Sequence, residues 1–126
     1  MDENKLHPAL TVRLYTDKKC FGPGVAMLLR RVRTLHSLRA AAMDMSMAYS
    51  KAWSILRTAE QELDMKLLHS TTGGRSGGGA VLTEEGERLL DAFDAYEARL
   101  KEAALQLFPQ YFQEFIPEES DGLIKF

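Results

Sequence analysis

The spacing of apolar residues along the chain predicts a short strand and a helix in the first 35 residues. Leu10, Val12 and Leu14 alternate with polar residues, as in a half-buried strand, and Asp17-Lys18-Lys19 is typical of a turn. Pro23 favours a helix start, because its missing N–H would have no intrahelical partner there. The apolar residues that follow it at helical spacing are Val25, Leu28, Leu29, Val32 and Leu35.

The next segment has the spacing of a helix-turn-helix. Ser37 can cap a short helix, since its oxygen accepts a free backbone N–H, and Ala41 and Ala42 allow a second helix to approach closely. A turn is predicted at Asp44–Met47 and a second helix from about Ala48 to Leu63. The buried seam of that second helix is predicted to consist of Ala52, Leu56, Ala59 and Leu63.

A β-hairpin and a long helix are predicted after the helix-turn-helix. Residues 66–71 and 80–82 have the character of strands, and the glycine-rich segment 72–79 joins them. Thr83 is the predicted N-cap of the long helix, which Pro109 is expected to end or bend. Apolar residues recur along this helix three and four positions apart, as in a heptad seam: Gly86, Leu89, Phe93, Tyr96, Leu100, Ala103 and Leu107.

These elements predict a mainly α fold with a small β wing, namely a winged helix-turn-helix followed by a long C-terminal dimerisation helix. The predicted domains are residues 8–83 for DNA binding, 84–108 for the dimerisation helix and 109–126 for an acidic tail. A helix of about 25 residues is longer than a small three-helix core needs, which favours a dimer interface over an intramolecular core. The predicted interface residues are Leu89, Phe93, Tyr96, Leu100 and Leu107.

Charge is distributed unevenly along the chain, although the formal net charge is only −2. Residues 21–79 carry eight Lys or Arg against four Asp or Glu, whereas residues 80–126 carry four against eleven. This asymmetry predicts a basic working face and an acidic appendage that points away from nucleic acid. A solvated acidic helix surface is the alternative interpretation of the second half.

The sequence offers no assembled catalytic set, so no enzyme activity, metal or cofactor is expected. Cys20 is the only cysteine and cannot form an internal disulfide, which favours a reducing cytoplasm. The three histidines lack the spacing of a helical metal site. No apolar run approaches the roughly 18 residues of a membrane span, and no signal peptide or membrane partner is expected.

The outer face of the second helix of the helix-turn-helix is the predicted DNA-reading surface. With Ala52 and Leu56 inward, the residues predicted to face outward are Tyr49, Ser50, Lys51, Ser54 and Arg57, whose side chains can bond bases or phosphates. Trp53 is assigned to packing rather than base contact. The glycine run leads into a strand, unlike a nucleotide-binding P-loop, so it is interpreted as a DNA-binding wing with Gly74, Arg75, Ser76 and Gly77 as its contacts.

The chain resembles the N-terminal DNA-binding domain of the ModE family, bacterial molybdate-responsive transcriptional regulators, and its helix-turn-helix is similar to that of LysR-type regulators. The resemblance is carried by Phe-Gly-Pro-Gly at 21–24, Ser37 with Ala41-Ala42, the element from Tyr49 to Trp53, and Thr-Gly-Gly-Arg-Ser-Gly-Gly-Gly-Ala-Val-Leu-Thr from Thr72. It covers about residues 8–107. The C-terminal oxyanion-binding lobes of full-length ModE proteins have no counterpart here, so molybdate sensing is not carried over.

The chain departs from the ModE pattern in the turn and in the wing. Ser46 stands where the family usually has glycine, and Ala48 replaces a serine N-cap, a loss of about 1 kcal/mol unless Ser46 caps the helix instead. Ser76 replaces a wing glycine. The expected function is sequence-specific binding of double-stranded DNA as a homodimeric transcriptional regulator of molybdate-related genes, with the effector left open. The alternative is a protein-interaction module that pairs with another regulator.

Overall fold

The computed structural model describes residues 5–71 and 79–117 and shows there a mainly helical fold with two small antiparallel sheets. The helices are α1 (Pro23–Leu35), α2 (Leu38–Asp44), α3 (Tyr49–Leu63) and α4 (Glu84–Phe112). The strands are β1 (Leu14–Tyr15), β2 (Lys19–Phe21), β3 (Leu68–Thr71) and β4 (Gly79–Leu82), and a 3-10 turn, Gln113–Phe115, follows α4. β1 pairs with β2 and β3 with β4. The predicted fold class is confirmed.

The chain divides into two compact units, one formed by Thr11–Ala95 and the other by residues 1–10 with 96–126. The first unit contains the helix-turn-helix, both hairpins and the beginning of α4. In the described part of the second unit, the rings of Phe108 and Phe112 stack with centroids 4.9 Å apart. Each unit therefore has apolar packing of its own.

The core of the first unit forms around α1, whose predicted apolar face is buried except for Leu35, which is exposed at the end of the helix. Val25, Ala26, Leu28, Leu29 and Val32 are buried there, and α1 contacts α2, α3 and β4. The buried residues of α3 are Ala52, Leu56 and Ala59, in agreement with the predicted seam, whereas Leu63 is half-buried. Since this seam faces the core, the opposite side of α3 is left to solvent.

The hairpin β3–β4 is tied to α1 and α3 by hydrogen bonds. The Glu60 carboxylate on α3 accepts the backbone N–H groups of Leu67 and Leu68 at 2.8 and 3.3 Å. At the other strand, the N–H of Ala80 donates to the carbonyl of His36, the C-cap residue of α1, at 3.0 Å. These bonds hold the base of the predicted wing beside the helix-turn-helix.

Thr83 joins the hairpin to α4 in the predicted capping role. Its Oγ1 accepts the N–H of Gly86 at 2.8 Å and donates to the carbonyl of Lys66 at 2.7 Å. Gly86 lies close to Leu67, the residue before β3: a Cβ at position 86 would be 2.5 Å from the carbonyl oxygen of Leu67. The first turn of α4 therefore requires a glycine to dock against this segment.

Several predicted boundaries are wrong, among them that of β3, which begins at Leu68 rather than at residue 66. The strand predicted at residues 10–14 is confined to Leu14–Tyr15, and Lys19, predicted in the turn, begins β2. The long helix does not end at residue 108 but continues through Pro109 to Phe112. Proline removes one backbone hydrogen bond from the helix, but this segment is exposed, so water can satisfy the free carbonyl.

The predicted seam of α4 also needs correction, because part of it belongs to the core of the chain itself. The buried residues of α4 are Gly86, Leu90 and Phe93. Phe93 is 3% exposed and packs edge to face on Phe21, with ring centroids 5.0 Å apart, so its assignment to a dimer interface is wrong. Leu90 is fully buried, whereas the predicted seam residue Leu89 is only half-buried.

Candidate DNA-binding surface

The outward side of α3 carries all of the residues predicted to read DNA. Tyr49, Ser50, Lys51, Ser54 and Arg57 are exposed. At 3.6 residues per turn, Ser50, Ser54 and Arg57 form the front of the helix, while Tyr49 and Lys51 lie on its two flanks. The front can enter a groove of DNA while each flank faces one border of that groove.

The N-terminal end of α3 is free of side-chain caps and of negative charge. Its N-cap is Ala48, no side chain caps the helix, and its first turn contains no acidic residue. The helix dipole places partial positive charge at this end, and the first N–H groups of a helix have no intrahelical acceptor. The end of α3 is therefore suited to an anionic group such as a phosphate.

The turn before α3 has the tight geometry of a helix-turn-helix despite the absence of glycine. Ser46 adopts a left-handed conformation with φ of 53°, and the N–H of Met47 donates to the carbonyl of Ala42 at 2.8 Å. Ser46 does not replace the missing serine cap, because α3 has no side-chain cap hydrogen bond. Both departures from the ModE pattern thus leave a conformational cost in this turn.

A row of alternating cations and aromatic rings runs along one flank of α3. The Arg39 guanidinium lies 4.1 Å from the centroid of the Tyr49 ring, and the Tyr49 and Trp53 rings meet edge to face at 6.4 Å. The Arg57 guanidinium lies 5.7 Å from the centroid of the Trp53 ring. Such contacts hold guanidinium groups in place without neutralising their charge. Trp53 is half-buried within this row.

A cavity of about 370 Å³ separates this flank from the base of the hairpin. Tyr49 and Trp53 line it from α3, Arg39 from α2, and Lys66 and His69 from the start of the hairpin. Lys66 is partnered by Glu60 at 3.6 Å. Glu60 lines the same cavity, so this concave border of α3 owes its unpaired positive charge to Arg39.

The cations beside α3 differ from those of α1 in having no carboxylate partner. Within the described residues, Arg39, Lys51 and Arg57 form no ion pair. The arginines of α1 are all paired: Arg30 with Asp94, Arg31 with Asp44, and Arg33 with Glu87 and Asp91. The uncompensated positive charge therefore lies at the helix-turn-helix rather than along the whole basic segment.

Sequence reasoning missed Arg39, although its helix could have pointed to it. Leu38, Ala41 and Ala42 form the buried stripe of α2, which leaves Arg39 exposed. Periodicity could show that exposure, but the approach of Arg39 to Tyr49 depends on how α2 and α3 cross. The predicted wing contacts, Gly74, Arg75, Ser76 and Gly77, lie outside the described residues.

Other chemistry in the described part of the chain is limited. Burial raises the pKa of the Cys20 thiol, and the negative charge of Glu62 raises this pKa further, so the thiol is kept protonated. Among residues 5–71 and 79–117, no helix combines the length and apolarity that crossing a bilayer requires. The same residues contain no cluster of His, Cys, Asp and Glu suited to a metal ion.

Comparison with known proteins relates this surface to bacterial regulators. Residues 26–87 match the family described as bacterial regulatory helix-turn-helix protein, lysR family. The chain is 35% identical over 86 residues to the DNA-binding transcriptional dual regulator ModE of Escherichia coli K12. These aligned residues make up 68% of this chain and 32% of that protein. It is 34% identical over 85 residues to the transcriptional regulator ModE of Haemophilus influenzae, 68% of this chain and 33% of that protein.

The chain is also similar to a protein that is named for molybdenum-pterin binding. The molybdenum-pterin-binding protein MopB of Rhodobacter capsulatus is 37% identical over 71 residues, 56% of this chain and 26% of that protein. The chain thus spans about a third of the length of the ModE proteins and about a quarter of MopB. Residues 26–87 therefore form a LysR-type helix-turn-helix domain, and the chain is ModE-like over this region.

Proposed function

We propose that this chain binds double-stranded DNA as a homodimer, with α3 in the major groove and the β3–β4 hairpin against the adjoining backbone. The carrying observation is the outward side of α3, which combines exposed polar residues and an uncapped N-terminal end with cations that have no carboxylate partner among the described residues. An α-helix fits the major groove of B-DNA, where base edges present a distinct pattern of donors and acceptors. The front of α3 supplies matching groups.

The residues of α3 divide into those that read bases and those that hold the backbone. Ser50, Ser54 and Arg57 project from the front of the helix and are proposed to meet base edges. Lys51 and Tyr49 lie on the flanks and are proposed to meet phosphates, and Arg39 stacked on Tyr49 extends that contact. Gly74, Arg75, Ser76 and Gly77 remain the proposed wing contacts.

Fluorescence anisotropy with a labelled duplex tests the assignment of α3. Lys51→Ala is expected to weaken binding to all duplexes and to flatten the dependence of log Kobs on log salt by about 0.9, because Lys51 meets a phosphate. Arg57→Ala is expected to cost about 1–3 kcal/mol of binding and to relax the preference for one base, because Arg57 meets a base edge. Arg88→Ala is the matched control, since Arg88 is exposed on α4 and pairs with Glu84 at 3.8 Å. Equal effects of all three variants would refute the assignment. Absence of binding to any duplex would favour the protein-interaction module.

The homodimer is proposed to form through the part of α4 beyond the core. Tyr96 is 54% exposed, Leu107 is 49% exposed and Leu100 is half-buried, and they recur on the helix with Leu89 at heptad spacing. A two-fold dimer would present two copies of α3 to half-sites one or more helical turns apart.

Sedimentation equilibrium tests the dimer. The double variant Tyr96→Arg/Leu107→Arg is expected to sediment as a monomer and to lose affinity for DNA, since two half-sites are no longer bound together. Val81→Arg, at an exposed apolar position of β4, is the control for added charge and should remain dimeric. A dimer that persists in the double variant would contradict the proposed interface.

The genes controlled by this protein are proposed to serve molybdate use. The proposal is supported by sequence similarity to proteins named ModE and to a molybdenum-pterin-binding protein. Mapping the genomic sites occupied by the protein would test it. Sites upstream of molybdate-transport or molybdenum-enzyme genes are the expected result, and occupancy restricted to unrelated promoters would contradict it.

A further inference from the structure

A second basic cavity lies on the flank of α3 opposite to the Arg39 row. Its volume is about 390 Å³, and Lys51, Ser54 and Thr58 line it from α3. At 3.6 residues per turn, these positions are on the other side of the helix from Tyr49 and Trp53. The facing wall is formed by the N-terminal hairpin, through Arg13 and Lys19, and by the start of α1.

The cavity collects positive charge that no carboxylate among the described residues compensates. Arg13, Lys19 and Lys51 have no ion pair among the described residues. None of the described residues that line the cavity is acidic. The start of α1 adds partial positive charge, because Gly22 provides no side-chain cap and the first turn of α1 contains no acid.

The hairpin that carries these cations is firmly attached to the helix-turn-helix unit. Phe21 is fully buried, Cys20 is 4% exposed, and β2 contacts both α1 and α3. At the tip of the hairpin, Thr16 donates a hydrogen bond to the Glu62 carboxylate, and Lys18 lies 3.8 Å from the same group. The hairpin is therefore anchored beside α3, which places the exposed side chains of Arg13 and Lys19 at the cavity, while Glu62 partners Lys18.

We propose that Arg13 and Lys19 bind the phosphodiester backbone of the same duplex whose major groove receives α3. A helix in the major groove is bordered by a phosphate strand on each side, and Arg39 with the hairpin base serves only one of these borders. The cavity of Arg13, Lys19 and Lys51 supplies the other. The N-terminal hairpin thus acts as a second, N-terminal wing. This inference rests on the proposed entry of α3 into the major groove.

Neighbouring lysines of the hairpin allow a matched test by fluorescence anisotropy with a random-sequence duplex of about three helical turns, roughly 30 base pairs. Lys19→Ala and Arg13→Ala are each expected to flatten the slope of log Kobs against log salt by about 0.9, and Lys19→Arg should retain the slope. Lys18→Ala removes the same charge one residue away and is expected to leave the slope unchanged. Circular dichroism would verify that all variants are folded.

Equal slopes for Lys18→Ala and Lys19→Ala would overturn the inference, since diffuse charge alone would then explain binding. A flattened slope in Lys51→Ala without any change in Lys19→Ala and Arg13→Ala would overturn it while preserving the role of α3. Failure of the unaltered chain to bind duplex would instead remove the proposed function itself. Calorimetric binding of inorganic phosphate that depends on Lys19, together with unchanged DNA slopes, would identify a small-anion pocket and also overturn the inference.

Discussion

α3 and the first turns of α4 are amphipathic helices of the same unit, yet their exposed N-terminal ends have opposite character. α3 begins without a side-chain cap or an acidic residue. α4 begins with a threonine cap and has Glu84, Glu85 and Glu87 in its first turn. The helix dipole favours an external anion at the start of α3, whereas the glutamates already supply negative charge at the start of α4. This contrast supports the proposal that α3, rather than α4, meets DNA.

α3 and α4 also differ in the ion pairs that surround them. Arg33 on α1 lies 3.0 Å from Glu87 and 3.1 Å from Asp91, so the acids of α4 serve as partners for α1. Such exposed pairs contribute about 0–1 kcal/mol each, but they remove charge that could otherwise bind DNA. Lys51 and Arg57 on α3 have no such partners in the described part of the chain. Counting charges along the sequence cannot distinguish these two groups.

The largest expected effect concerns the side of α4 that faces the core. Leu90→Ala should lower the free energy of unfolding by about 2–5 kcal/mol, because Leu90 is fully buried. Leu89→Ala should cost about 1 kcal/mol or less, since Leu89 is half-buried. Urea titrations at one fixed protein concentration would measure both. A larger loss of stability for Leu89→Ala than for Leu90→Ala would show that the predicted heptad seam, and not Leu90, faces the core.

A smaller effect is expected where α4 docks against Leu67, the residue before β3. Gly86→Ala places a Cβ 2.5 Å from the Leu67 carbonyl oxygen, which should lower the free energy of unfolding by about 1–3 kcal/mol. Gly24→Ala in α1 has no neighbouring atom within 4 Å and should raise it by about 0.4–1 kcal/mol. Thermal unfolding with matched concentrations would compare the pair. Tolerance of alanine at position 86 would show that α4 does not approach this closely.

The smallest effects sharpen the contrast between the capped and uncapped helix ends. Thr83→Ala should lower the free energy of unfolding by about 1 kcal/mol, and Ala48→Ser should raise it by about 0.5–1 kcal/mol. Ala48 has the extended backbone of an N-cap residue, with φ of −63° and ψ of 142°, so a serine hydroxyl can reach the free N–H groups of α3. Denaturant titration would measure both changes. No gain from Ala48→Ser would mean that those N–H groups already have a partner.

Local patterns predicted much of the fold and the outward side of α3. The caps at Ser37 and Thr83 follow from the chemistry of single residues, and the seam of α3 follows from its period. The core face of α4 could not be chosen in this way, because Leu89 and Leu90 are both apolar. Contact between Phe93 and Phe21, distant in sequence, orients the helix.

The basic surroundings of α3 depend on tertiary packing that sequence spacing does not contain. Arg39 reaches Tyr49 only because of the way α2 meets α3. Arg13 and Lys19 approach Lys51 because β1–β2 folds against α1 and α3. The arginines of α1, in contrast, were part of the predicted basic face and are engaged with Asp94, Asp44, Glu87 and Asp91.

Nuclear magnetic resonance of the isotope-labelled chain would test most directly that α3, and not α4, meets DNA. On titration with duplex, the largest backbone amide shifts are predicted at Tyr49–Arg57, including the uncapped first turn of α3. The amides of residues 84–95 should change little. Shifts concentrated in residues 84–95, with α3 unaffected, would contradict the account.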